Sequence, residues 1–202
     1  MLKIGITGGI GSGKTTVAKI FACLGIPIFN ADEASKMLLA TNKTIQTKVA
    51  ELLGEAAFTK GIPNKNYIAN IIFNNPQTLA ALNAIMHPAV IAYGQSWIAQ
   101  QKAPYIIREA AILFESNTNK NLDAVIGVYA PQMLRIARTM QRDNLTLHEV
   151  TLRINQQMNE DEKMKLCNYI IYNNEEQALL PQILTLHTAF KTGKLTMPFT
   201  KL

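Results

Sequence analysis

A glycine-rich segment near the start of the chain has the composition of a phosphate-binding loop. Residues 8–15 read Gly-Gly-Ile-Gly-Ser-Gly-Lys-Thr and fit the pattern G-x-x-x-x-G-K-[ST]. Such a loop turns main-chain N–H groups inward around a phosphate chain, and glycine reaches the required backbone angles at low cost. An apolar run precedes the segment and a helical pattern follows it, so the helix directs its positive end at the phosphates. We therefore expect a site for a nucleoside triphosphate.

The residues at the end of this loop have specific expected roles. Lys14 is expected to reach the β and γ oxygens of ATP, and the Thr15 hydroxyl is expected to ligate Mg²⁺. ATP is thus the expected co-substrate and Mg²⁺ its ion. The predicted nucleotide-binding residues are Gly8, Gly9, Ile10, Gly11, Ser12, Gly13, Lys14, Thr15 and Thr16.

Other motifs narrow the class of nucleotide-binding protein. The chain lacks the Asn-Lys-x-Asp motif typical of a GTPase, and the run at residues 105–109 is short for the strand of a motor ATPase. A small kinase remains as the main interpretation. A nucleoside or nucleotide kinase with another acceptor, and an ATP-binding module without transfer activity, stay open as alternatives.

A small kinase also needs an acceptor site and cations over the transferring group. Asp32 follows a short predicted strand and could accept the proton of an attacking hydroxyl, although it could equally cap the next helix. Arg138 and Arg142 are four residues apart on one predicted helix, and Arg153 lies further along. Arginine donates forked hydrogen bonds to phosphate oxygens, but solvated surface charges would look the same.

Short apolar runs alternate with longer helical segments, which predicts an α/β fold with a mainly parallel sheet. A helical insertion without strands is predicted from residue 33 to about 101, between the second and third strands. Residues 146–165 are predicted to form a charged helix that could act as a mobile flap. The predicted strands cover residues 2–7, 26–29, 105–107, 125–129 and 169–172, with helices at 14–24 and from about 176.

Composition sets broad limits on the protein class. The net charge of +6 suits polyanionic ligands, but it also suits weak nucleic-acid binding. The chain has no basic and aromatic cluster of the kind that binds nucleic acid, so no nucleic-acid partner is expected. No apolar stretch is long enough for a membrane span, and a cytoplasmic protein is expected. Cys23 and Cys167 are expected to be buried or half-buried thiols.

Several segments together resemble the dephospho-CoA kinase family. Residues 7–14, Thr-Gly-Gly-Ile-Gly-Ser-Gly-Lys, are similar to the phosphate loop of that family. Six further landmarks occur in the family's order between residues 31 and 174. They are Ala31-Asp32, Leu-Asn-Ala-Ile-Met-His-Pro at 82–88, Ile-Leu-Phe-Glu at 112–115, the arginine segments at 138–143 and 153–158, and Asn173-Asn174.

The resemblance implies ATP-dependent phosphorylation of the ribose 3′-hydroxyl of dephospho-CoA, giving CoA and ADP. It implies a P-loop, nucleotide-kinase-like core at about 1–30, 103–138 and 168–195. A helical acceptor subdomain at about 31–102 and a lid at about 139–167 complete the expected fold. The expected ligands are dephospho-CoA and ATP, and the expected state is a monomer or weak homo-oligomer.

The resemblance also implies roles for individual residues. Asp32 is the expected general base, Lys14, Arg138 and Arg153 stabilise charge, Arg142 and Asn173 help hold the nucleotide, and His87 and Glu115 border the acceptor pocket. The chain departs from the family pattern at four positions. Asn30 replaces an acid, Ala111 replaces a proline, and Tyr172 and Glu175 replace the aspartate and glycine around the adenine-site asparagines.

Overall fold

Seven strands and nine α-helices follow one another in the part of the chain described by the computed structural model, residues 1–193 and 195, together with two short 3₁₀ helices. The strands are β1 (Leu2–Thr7), β2 (Ile28–Asn30), β3 (Phe58–Thr59), β4 (Ile62–Pro63), β5 (Tyr105–Glu109), β6 (Ala124–Tyr129) and β7 (Tyr169–Tyr172). The helices are α1 (Lys14–Cys23), α2 (Ala31–Thr41), α3 (Lys43–Leu53), α4 (Lys65–Asn74), α5 (Pro76–Ala99), α6 (Gln132–Asp143), α7 (Leu147–Asn155), α8 (Glu160–Leu166) and α9 (Leu179–Lys191). Lys194, which lies within the predicted core range 168–195, is outside the described residues.

The chain divides into two compact units, residues 1–30 with the chain from residue 101 onward, and residues 31–100. The first unit contains a five-stranded parallel sheet in the order β2-β5-β1-β6-β7. The predicted α/β fold with a parallel sheet is confirmed. Parallel strands are covered on both faces, which is why these strands read as continuous apolar runs.

Helix α1 is anchored to the sheet by apolar residues spaced three or four apart. Val17 and Phe21 are fully buried in a core that also contains Phe190 of α9. Tyr105 of β5 lies between the two phenylalanine rings, with centroids 6.4 Å from Phe21 and 5.5 Å from Phe190. Each such buried side chain stabilises the fold by about 1.5–3 kcal/mol. This packing fixes the first turn of α1 directly after the loop that leaves β1.

The second unit is mainly helical, as predicted for this region. Helix α5 packs against α2, α3 and α4. The prediction that no strand occurs here is wrong, because β3 and β4 form a small antiparallel hairpin. Lys60 and Gly61 connect them with φ of 53° and 79°. Two successive residues with positive φ make the tight turn that pairs such strands, whereas the sequence indicated only a turn.

Three other predictions need correction. The predicted flap helix is two helices, because Asn159 interrupts it and caps α8 by accepting the N–H groups of Asp161 and Glu162. Helix α9 begins at Leu179 and not near residue 176, since Asn174 binds the preceding N–H groups in a turn. Cys23 is exposed at the end of α1, so only Cys167 fits the expected burial.

Candidate active site

The loop between β1 and α1 has glycine where other residues would clash. Gly11 and Gly13 have φ of 78° and 93°, in the left-handed region that favours glycine. A side chain at position 11 would collide with the Arg135 carbonyl oxygen, and one at position 13 with the side-chain amide of Asn173. At these two glycines the loop therefore lies directly against Arg135 and Asn173.

Lys14, the first residue of α1, is turned back onto this loop. Its Nζ donates a hydrogen bond of 3.1 Å to the Gly9 carbonyl oxygen, which also accepts the N–H of Ser12 at 3.1 Å. The lysine is 9% exposed. A buried ammonium thus lies beside the carbonyl of the loop, and its expected contact with phosphate oxygens stays a prediction.

The hydroxyl of Thr15 contacts a carboxylate that sequence reasoning did not assign to the site. Thr15 Oγ1 donates to Glu109 Oε1 at 2.6 Å, and Asn30 Nδ2 donates to Glu109 Oε2 at 2.9 Å. Glu109 and Asn30 end β5 and β2, which are neighbours in the sheet. Open α/β sheets bind ligands at these strand ends, so the three residues form one polar centre.

The signal for Glu109 was present in the sequence. It ends the apolar run at 105–109. Because this run is short for the strand of a motor ATPase, the sequence reasoning excluded that class and did not assign Glu109 to the site. Asn30, which replaces an acid of the family pattern, donates its side-chain amide to Glu109.

Asn173 joins the loop to α6. Its Nδ2 donates a hydrogen bond to the Ser12 carbonyl oxygen at 2.8 Å. Its main-chain carbonyl oxygen accepts a hydrogen bond from Nη1 of Arg138 at 3.1 Å. Arg138 Nη2 also pairs with Glu175 at 3.0 Å. Glu175 has φ of 68°, an uncommon conformation for a residue other than glycine. This is the position where the family pattern has glycine.

The two remaining predicted arginines share one carboxylate. Arg142 donates to both oxygens of Asp143, at 2.7 and 2.8 Å, and Arg153 Nη1 lies 3.6 Å from Asp143 Oδ2. The hydrogen bonds from Arg142 lower the pKa of Asp143, with a smaller contribution from the Arg153 charge. The pair Arg142–Asp143 therefore stays ionised near neutral pH.

The connection between α7 and α8 also contacts the phosphate loop, which the sequence did not indicate. The N–H of Gly9 donates to Glu160 Oε1 at 3.2 Å, and the N–H of Ile10 donates to Gln157 Oε1 at 2.9 Å. Glu160 Oε2 lies 3.6 Å from Arg135 Nη1, and both side chains are less than 10% exposed. Two of the loop N–H groups predicted to bind nucleotide thus have protein partners.

Glu115 contacts both the segment between α7 and α8 and a lysine of α8. Its Oε1 accepts the N–H of Met158 and contacts Lys163 Nζ, both at 3.0 Å. Lys163 is fully buried and also donates to the carbonyl oxygen of Ala111. Burial acts to raise the pKa of Glu115, but the hydrogen bonds from Met158 and Lys163 outweigh it and lower the pKa.

Asp32 and His87 belong to the second unit. Asp32 is exposed in the first turn of α2, whose first residue is Ala31, so it lies inside the helix and not at the capping position. It follows Asn30 by two residues along the chain. His87 is half-buried within α5, and burial lowers its pKa. A neutral imidazole is therefore favoured near pH 7.

The residues that the structure describes contain neither a metal-binding cluster of side chains nor a membrane-spanning helix. No group of three or more histidine, cysteine, aspartate or glutamate side chains is placed to hold a metal ion in that part of the chain. None of its helices combines the length and the apolar character that a membrane crossing needs.

Comparisons with known proteins agree with one another over most of the chain. A family model described as dephospho-CoA kinase matches residues 2–178. A curated dephospho-CoA kinase of Bacteroides fragilis (strain YCH46) is 38% identical over 186 residues, which are 92% of this chain and 91% of the relative.

Two solved structures extend this similarity to three dimensions. A crystal structure of a protein from Thermus thermophilus has a TM-score of 0.84 at 32% identity, covering 93% of this chain and 96% of the other. A dephospho-CoA kinase from Campylobacter jejuni has a TM-score of 0.68 at 27% identity, covering 95% and 98% of the two chains.

Proposed function

Because the chain belongs to the dephospho-CoA kinase family and is a phosphate-transferring enzyme, we propose how its residues divide the reaction between donor and acceptor. The resemblance inferred from the motifs is confirmed by this membership. The comparisons support the transfer of phosphate from ATP to dephospho-CoA. They do not support another nucleoside or nucleotide kinase, or an ATP-binding module without activity.

The donor site is the phosphate loop. Main-chain N–H groups from Gly11 to Thr16 bind the β and γ phosphates, and Lys14 exchanges its contact with the Gly9 carbonyl for phosphate oxygens. Two contacts in the first turn of α1 support this assignment: Lys14 with the Gly9 carbonyl oxygen, and Thr15 with Glu109 at the end of β5. Preorganised amides and a buried ammonium stabilise the charge of the transferring group without further rearrangement.

Mg²⁺ fits the oxygen donors at the start of α1. Thr15 donates its hydroxyl proton to Glu109, so the lone pairs of Oγ1 remain free for a cation, and the carboxylate adds the negative charge that Mg²⁺ prefers. When bound, the ion neutralises charge on the phosphate oxygens. We propose that Thr15 and Glu109 hold it directly or through water, with Asn30 orienting Glu109.

Asp32 is the proposed general base for the ribose 3′-hydroxyl. Three features support this role: Asp32 lies just after β2, it has a carboxylate that can accept a proton, and its side chain is exposed. Removal of the hydroxyl proton during transfer is the usual task of an aspartate in kinases. His87 and Glu115 are proposed to border the acceptor, although Glu115 already accepts two hydrogen bonds within the first unit.

Arg138 and Arg153 are proposed to stabilise the transferred charge. Each now pairs with an exposed or half-exposed carboxylate, Glu175 or Asp143. Exposed ion pairs contribute only about 0–1 kcal/mol, so exchanging a carboxylate for phosphate oxygens has a low cost. Arg142 and Asn173 are proposed to help hold the nucleotide. We also propose a cytoplasmic monomer or weak homo-oligomer, which size-exclusion chromatography can test.

A coupled assay of ADP release tests the proposal. Dephospho-CoA, but not adenosine, should stimulate release, and Lys14→Ala should abolish it while the thermal unfolding transition remains. Asp32→Asn should lower kcat at least about 100-fold with little change in KM, because a general base contributes about 10²–10⁴-fold. If only KM changed, Asp32 would bind the acceptor without acting as the base.

A further inference from the structure

Two side chains after α7 occupy main-chain donors of the phosphate loop. Glu160 Oε1 accepts the N–H of Gly9 at 3.2 Å, and Gln157 Oε1 accepts the N–H of Ile10 at 2.9 Å. An N–H group that donates to a protein side chain is not available for a phosphate oxygen. These contacts therefore join the first half of the loop to the chain that follows α7.

The contacts form a chain that passes through the loop to the catalytic lysine. Arg135, at 5% side-chain exposure, pairs with Glu160 at 3.6 Å and donates through Nε to the Ala130 carbonyl oxygen. Glu160 holds the N–H of Gly9, and the carbonyl oxygen of Gly9 holds Lys14. Before ATP binds, the Gly9 main chain is thus held on both sides, by Glu160 of the buried ion pair and by Lys14.

Gln157 links these loop contacts to α7, the helix that carries Arg153. The N–H of Gln157 donates to the Ile154 carbonyl oxygen, which closes the last turn of α7. Asn159 then caps α8, which fixes Glu160 as its first residue. A displacement of α7 would accordingly be transmitted to the first half of the loop through the two side chains.

We infer that Gln157 and Glu160 are positioning residues of the phosphate loop, which hold Gly9 and Ile10 in the conformation that binds ATP. The inference rests on the proposed use of the loop as the donor site. The negative charge of Glu160 is balanced by Arg135, so the carboxylate can lie against the loop without strongly opposing a bound triphosphate. Neither residue needs to touch the nucleotide.

The experiment measures ATP binding by calorimetry, together with kcat and the two KM values. Gln157→Ala and Glu160→Ala should each weaken ATP binding about tenfold, because each leaves a loop N–H without its acceptor. The KM for dephospho-CoA should not change. Glu160→Gln keeps an oxygen that can accept the N–H of Gly9 and should restore most of the affinity. Glu162→Gln, on the exposed side of the same helix, is the matched control.

The outcomes separate the inference from its alternatives. Wild-type affinity in both alanine variants would overturn it, and tighter binding in Glu160→Ala would make the carboxylate a competitor of phosphate. Both residues line a cavity of about 560 Å³, so truncation enlarges an existing polar space. If Glu160→Ala unfolds because the buried Arg135 loses its partner, the ATP affinity of Gln157→Ala alone tests the inference. Gln157 is uncharged, so its removal leaves no buried charge without a partner. Calorimetry reports on the loop even if dephospho-CoA is not the acceptor, so the two failures are distinguishable.

Discussion

Replacement of Glu109 by glutamine tests the polar centre at the end of β5. The carboxylate is 5% exposed and accepts hydrogen bonds from Thr15 at 2.6 Å and Asn30 at 2.9 Å. Glutamine has the same size and can accept from Thr15 through its oxygen. Its amide nitrogen can pair with Asn30 once the Asn30 amide turns over. Glu109→Gln therefore removes the charge and leaves the packing nearly unchanged.

The expected magnitude follows from the two hydrogen bonds. A bond to a charged group contributes about 1.5–3 kcal/mol and a neutral one about 0.5–1.5 kcal/mol, so the loss is about 1 kcal/mol per bond. Two bonds give about 2 kcal/mol. Where this loss falls on the transition state, in which Thr15 must be directed, it corresponds to about a 30-fold decrease in kcat/KM. The hydroxyl of Thr15 is then less firmly directed, and the missing charge also weakens the site for Mg²⁺.

The assay is a titration of kinase activity with Mg²⁺ at fixed ATP and dephospho-CoA. The half-saturating Mg²⁺ concentration should rise in Glu109→Gln, and excess Mg²⁺ should recover part of the activity. Glu162→Gln serves as an exposed control with the same chemical change. An unchanged Mg²⁺ dependence and an unchanged kcat/KM, in a variant that unfolds at the wild-type temperature, would refute the assignment of Glu109.

Two further predictions concern the backbone strain at Glu175 and the partly exposed carboxylate of Glu115. Glu175 has φ of 68°, which asparagine tolerates and β-branched residues do not. In urea unfolding, Glu175→Val should be less stable than Glu175→Asn by about 1 kcal/mol, and equal stabilities would contradict the backbone conformation. For Glu115, hydrogen bonds from Met158 and Lys163 lower the pKa below 4.5, against the effect of burial. Its stabilising contribution is therefore present above pH 4.5 and is lost as the pH falls through the lowered value. Glu115→Gln should flatten the dependence of Tm on pH below 4.5, and a wild-type profile would show that the carboxylate is not responsible.

Much of the donor site could be predicted because its signal is local. The phosphate loop is one continuous segment, and its glycines are required by backbone angles that each residue adopts by itself. The strands at 2–7 and 169–172 were predicted with their observed ends. Apolar runs of that length, bounded by turn residues, have few other ways to be buried.

The contacts around the loop depended on the tertiary structure. Glu109 reaches Thr15 across 94 residues and Glu160 reaches Gly9 across 151, and no spacing in the sequence indicates such a pair. The hairpin at β3 and β4 escaped prediction for a different reason, since each strand has only two residues and too few positions to show alternation.

The sequence by itself determined that a phosphate chain would be bound at the start of α1, because the loop residues carry their own conformational requirements. The tertiary structure decided which side chains support that loop. The order β2-β5-β1-β6-β7 places the ends of β2 and β5 beside α1, and the capped break before α8 brings Gln157 and Glu160 to the loop. A hydrogen bond depends on distance and direction, and between residues far apart in sequence both are set only when the chain is folded.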